Sequence, residues 1–92
     1  MPRGIIEIRE CIRAQSFDLS KHADEEMGED GLDLFDVEHA ILDGHVEREE
    51  HEDPRGTKYV VVGAAVDGSL MVTVGRFKET GQYLIITVYR LD

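Results

Sequence analysis

Ile5, Ile8, Cys11 and Ile12 recur at helical spacing while Glu7, Arg9, Glu10 and Arg13 fill the positions between. This pattern predicts an amphipathic helix over residues 4–14 whose apolar stripe faces a core. A second, short helix is expected to run to about Met27. Asp18 and Ser20 can both serve as its N-cap, and Gly28 and Gly31 would end it. A third starts after Asp33, with Asp36 placed to complete a capping box and Leu32 to staple against Val37. Leu34, Val37, Ile41 and Leu42 form its stripe, and Gly44 is its natural stop.

From residue 45 the helical period gives way to strand signals. Residues 46–49 read as a polar edge strand, Asp53-Pro54-Arg55-Gly56 as a turn and residues 58–65 as a valine-rich strand. Asp67-Gly68 signals a hairpin into residues 70–77, and Glu79-Thr80-Gly81 separates these from residues 83–90. The expected fold is therefore α+β, with three N-terminal helices packed on a three- or four-stranded antiparallel meander sheet, in one domain over residues 1–92. An odd final loop would group Leu70, Val72 and Val74 with Leu84, Ile86 and Val88 as an aliphatic set beneath the helices. Met71, Thr73, Gly75 and Phe77 with Tyr83, Ile85, Thr87 and Tyr89 would form the opposite face. An even loop would mix the sets; the odd loop is preferred because it separates aliphatic from polar and aromatic positions.

Apolar residues make up 41% of the 92 and charged residues 33%, a balance that supports a packed core. The net charge of -10 opposes long-range attraction to nucleic acid. That acidity is local: residues 1–56 carry six basic and seventeen acidic side chains, residues 57–92 four and three. A near-neutral sheet bearing Lys58, Arg76, Lys78 and Arg90 can still present a positive patch to a phosphate. Cys11 stands alone in an apolar stripe and reads as a small core residue, without an intrachain disulfide. No signal peptide or membrane span is expected, and a reducing cytoplasm is the expected setting.

His22 falls in the first turn of the second helix, where the positive end of the helix dipole favours the neutral imidazole that a general base needs. A surface or capping histidine beside Asp24 and Glu26 is the plainer alternative. His39, His45 and His51 with Glu47, Glu49 and Asp53 are ligand types without ligand spacing, so no metal site is expected. The glycines fall in strands and turns rather than in a phosphate loop, and no serine sits in a nucleophile elbow. Thr87, Tyr89 and Arg90 beside Lys58 or Arg76 can hold a phosphate and pass a proton, although threonine and tyrosine are also favoured simply as strand formers.

Four segments together resemble one family. They are Ser20-Lys21-His22-Ala23 with Met27, Asp36-Val37-Glu38 with Ala40-Ile41 and Gly44, Asp53-Pro54-Arg55-Gly56 with Tyr59, Val61 and Gly63, and Ile86-Thr87-Val88-Tyr89. The resemblance is to the domain of unknown function 4258 family and covers nearly the whole chain. It implies kinship with small bacterial toxins of toxin–antitoxin pairs, proposed to be metal-independent endoribonucleases with the fold of barnase and RelE-like toxins. It further implies an RNA substrate, no cofactor, and a zinc-ribbon or DNA-binding antitoxin as partner. His22 would move protons at the ribose 2'-hydroxyl or leaving oxygen, while Arg76 or Arg90 and Tyr89 would steady the phosphate. The chain departs from the family at Glu26 and Asp30, where members tend to carry arginine. This departure leaves a catalytically degenerate interaction module, or a small-molecule binding protein, as the alternative. A homo-oligomer is compatible with each reading.

Overall fold

The computed structural model describes residues 4–91. Its elements are α1 (Ile5–Arg13), β1 (Phe17–Leu19), α2 (Lys21–Glu29), α3 (Leu34–Asp43), β2 (His45–Glu50), β3 (Lys58–Ala64), β4 (Leu70–Phe77) and β5 (Tyr83–Arg90). The helices begin where the polar signals place them. Ser20, not Asp18, caps α2: its Oγ accepts from Ala23 N–H at 3.0 Å and donates to the Ile86 carbonyl at 2.9 Å. The helix runs on through Gly28 and stops ahead of Gly31, whose φ of +66° suits a residue without a Cβ. Asp33 and Asp36 form the expected capping box on α3. Leu34 is 40% exposed, however, so the buried stripe is Val37, Ala40 and Ile41.

The sheet corrects the predicted architecture. It has five strands in the order β1-β5-β4-β3-β2, and β1 runs parallel to β5. Strands β2 to β5 form the antiparallel meander, but β1 enters between α1 and α2 and makes the sheet mixed. Asp18 is thus a strand residue opposite Leu84. Three residues carry no readable alternation, and β1 exists because β5 offers it a partner.

The final loop is odd, with Phe77 opposite Tyr83, yet the helices cover the face opposite to the one expected. Ile8, Ile12, Ala23, Met27, Val37 and Ile41 pack with Tyr59, Val61, Met71, Tyr83, Ile85 and Val88. Full burial of an aliphatic side chain is worth about 1.5–3 kcal/mol, so this set supplies most of the drive to fold. Close approach decides the face. A Cβ on Gly63 would fall inside the Ala40 carbonyl of α3, and one on Gly75 would overlap the Tyr83 ring. Leu70, Val72 and Val74 lie on the other face, which no helix covers.

A bulge completes the arrangement. Val74 pairs with Thr87 and Gly75 with Ile85, leaving Ile86 without a partner of its own. Beyond it the alternation of β5 is reversed: Val88 turns into the core, and Thr87 and Tyr89 turn to the open face.

Candidate functional site on the open sheet face

Register places Thr87 beside Val74 and Tyr89 beside Val72, both on the open face. Continuing the β3–β4 register past Tyr59 and Gly75 sets Lys58 opposite Arg76 on that same face. Four of the expected site residues, Lys58, Arg76, Thr87 and Tyr89, thereby share one face, spread along β4 from Val72 beside Tyr89 to Arg76 beside Leu84. Tyr89 is 38% exposed, and the Arg76 guanidinium makes no hydrogen bond or ion pair with the described residues. Such a cation on an uncovered strand face is available to an anion.

The charge of Lys58 is partly taken. Its Nζ lies 3.4 Å from Asp53 Oδ2, and Asp53 also accepts from Arg55 N at 2.9 Å, Nε at 3.1 Å and Nη2 at 3.1 Å. The Arg55 side-chain hydrogen bonds, chiefly, hold the Asp53 carboxyl well below the usual carboxylate range. Together with Glu50, Glu52 and Pro54 these groups line an open depression of about 540 Å³ at the end of β3. The Asp-Pro-Arg-Gly segment is therefore an ion-paired turn that braces Lys58.

His22 reaches the same strand from the side. It occupies the second position of α2, and its Nε2 lies 3.2 Å from Glu26 Oε1. That oxygen also accepts the Val88 N–H at 3.1 Å. One turn on, Asp30 Oδ2 accepts the Arg90 N–H at 3.0 Å. Strand β1 pairs only with Tyr83, Leu84 and Ile85, so the outer edge of β5 beyond them would be bare. The carboxylates of α2 stand in for the missing strand. This explains Glu26 and Asp30 in a way the sequence reading missed, although His22, Glu26 and Asp30 recur every four residues on one helix face.

Arg90 does not join the open-face group. Its register partner is Met71, and its guanidinium donates to the Asp30 carbonyl at 3.0 Å and to Ser69 Oγ. The other histidines are also apart: His39 Nδ1 contacts the Ala64 carbonyl at 2.7 Å, His51 contacts Thr57 and Glu49, and His45 opens β2. Among the described residues, no group of three or more histidine, cysteine or acidic side chains is placed to hold a metal ion. No helix among them is long and apolar enough to cross a membrane.

No curated protein and no solved structure matches the chain. The family model described as Domain of unknown function (DUF4258) matches residues 19–90, from the last residue of β1 to the last of β5, and the chain belongs to that family.

Proposed function

We propose that the open sheet face binds RNA and that the protein cleaves it without a metal ion, as the toxin of a bacterial toxin–antitoxin pair whose partner is a zinc-ribbon or DNA-binding antitoxin. One observation carries this reading. A guanidinium without a partner among the described residues, a threonine hydroxyl and a phenol share one face, and an imidazole lies against Glu26, whose carboxylate accepts an N–H of the strand that bears two of them.

The chemistry follows from these groups. Glu26 engages Nε2 of His22, which leaves Nδ1 free to take the proton of a ribose 2'-hydroxyl. The 2'-oxygen bonds to phosphorus as the bond to the 5'-oxygen breaks, giving a 2',3'-cyclic phosphate and a free 5'-hydroxyl. Arg76 and Thr87 stabilise the phosphoryl oxygens, and the Tyr89 phenol supplies a proton to the leaving oxygen. Every step is carried by protein side chains.

A second reading treats the same face as a non-catalytic interaction surface. It is favoured by the exposure on that face of Leu70, at 51%, and of Tyr89, and by the engagement of Lys58 with Asp53. Expression of wild type and His22→Ala, with RNA cleavage by the purified proteins in chelator, separates the two. The ribonuclease reading expects growth arrest and cleavage by wild type, both lost in His22→Ala and strongly reduced in Arg76→Ala. Full activity in His22→Ala removes the proposed base; an inactive wild type that still forms a stable complex with a neighbouring gene's product favours the interaction module.

A further inference from the structure

The sheet has a second unfinished edge, on β1. Ser16 accepts from Tyr83 N–H at 3.0 Å and Ser20 donates to the Ile85 carbonyl at 2.9 Å. In a parallel ladder that spacing turns the N–H and C=O of Asp18 toward β5 and those of Phe17 and Leu19 outward. The outward groups have no partner among the described residues. Where α2 closes the far half of β5, no described residue closes β1.

Beside this edge lies a groove of about 290 Å³ lined by Gln15, Phe17, Asp18, Leu19, Leu34 and Glu38. Its apolar wall continues into the first turn of α3, where Leu34 is 40% and Phe35 72% exposed. Neither side chain contributes to the core cluster, so their exposure is unexplained by folding. Glu38 and Asp18 line the groove, and Asp33 and Asp36 stand at the start of the same helix. Lys78 is paired with Asp18.

We propose that the β1 edge and this groove form a docking site for an extended, basic and apolar segment of a partner protein, which adds to the sheet as a sixth strand next to β1. Main-chain hydrogen bonds to Phe17 and Leu19 hold the segment, alternate apolar side chains fill the groove against Leu34, and its cations face Glu38, the carboxylate of the groove that has no ion-pair partner among the described residues. Charge selects this occupant over a second copy of the chain. A second copy carries the same acids and a net charge of -10, so it brings like charge to an acidic edge. The site is separate from the open face and stands whether or not that face cleaves RNA.

The test uses the full chain with two synthetic peptides, one of alternating lysine and valine and one of alternating glutamate and valine. Amide hydrogen exchange is followed by NMR. The lysine–valine peptide is expected to slow exchange at Phe17 and Leu19 by about tenfold or more at saturation, while the glutamate–valine peptide leaves both amides unchanged. Glu38→Lys is expected to weaken the lysine–valine peptide about tenfold without unfolding the protein. Protection of neither amide overturns the site. Equal protection by both peptides overturns the charge argument. Protection that grows with protein concentration in the absence of peptide identifies a second copy as the occupant and overturns the proposed partner.

Discussion

Removing Glu26 and Asp30 should loosen the end of β5 more than any other pair of surface carboxylates. Each accepts one backbone N–H, Val88 at 3.1 Å and Arg90 at 3.0 Å, in part-buried settings. A hydrogen bond to a charged group contributes about 1.5–3 kcal/mol, and the partial exposure of both acceptors places these two at the lower end of that range. Glu26→Ala and Asp30→Ala should each cost about 1–2 kcal/mol, and the double variant about 2–4 kcal/mol, because each serves a different N–H. Against a typical total of about 5–15 kcal/mol that is a large share. Denaturant unfolding measures the totals, and amide exchange supplies the specificity. Glu26→Ala should accelerate exchange at Val88 and spare Arg90, whereas Asp30→Ala should do the reverse. Glu26→Gln keeps an oxygen in place and should lose roughly half as much as Glu26→Ala. Unchanged exchange at Val88 in Glu26→Ala would refute the idea that α2 substitutes for a strand.

Gly63→Ala should cost at least about 2 kcal/mol in denaturant unfolding, because the added methyl meets the backbone of α3 and not a side chain that can turn away; a loss under half of that would mean that α3 can lift. Tyr83→Phe should leave stability unchanged or raise it by about 1 kcal/mol, since the buried Tyr83 hydroxyl has no hydrogen-bond partner among the described residues and burial pushes its ionisation far up; a drop beyond about 1 kcal/mol would reveal a bond that the packing hides. Asp53, Asp36 and Asp67 are all held below the usual carboxylate range, by Arg55, by the Asp33 N–H and by the Ser69 hydroxyl respectively. Their contribution is complete above the unfolded-state pKa of about 3.9 and is lost as the pH falls toward the folded-state values. The melting temperature should therefore decline below about pH 4, less steeply in Asp36→Asn, and equal slopes for that variant and wild type would exclude Asp36 from the effect.

Helices and long strands were legible because their causes are local. The Ile8 and Ile12 stripe, the Asp33–Asp36 box and the alternation of β4 are each written in a few neighbouring residues. Strand β1 was not, since Phe17-Asp18-Leu19 becomes a strand only by pairing with residues more than sixty positions away. The covered face of the sheet was misjudged for a related reason. Both faces are apolar, and the choice rests on where α3 and the Tyr83 ring come closest, at Gly63 and Gly75. The candidate site shows the same division. The chemistry of His22, Arg76 and Tyr89 was readable residue by residue, but their relation was not. It depends on a bulge at Ile86 and on carboxylates whose partners are main-chain groups, and neither leaves a mark in hydropathy.

The bulge also makes the open face a matter of counting. Because Ile86 takes no place in the ladder, Tyr83 and Ile85 point inward while Thr87 and Tyr89 point outward. Were Ile86 instead drawn into an unbroken ladder opposite Val74, Val88 would turn out into water and the hydroxyls of Thr87 and Tyr89 would turn into the apolar layer, with every side chain chemically intact. Deleting Ile86 would pair Thr87 with Val74 directly and keep the same facing, so a relative one residue shorter between the tyrosine that opens β5 and the threonine that follows presents the same surface without a bulge.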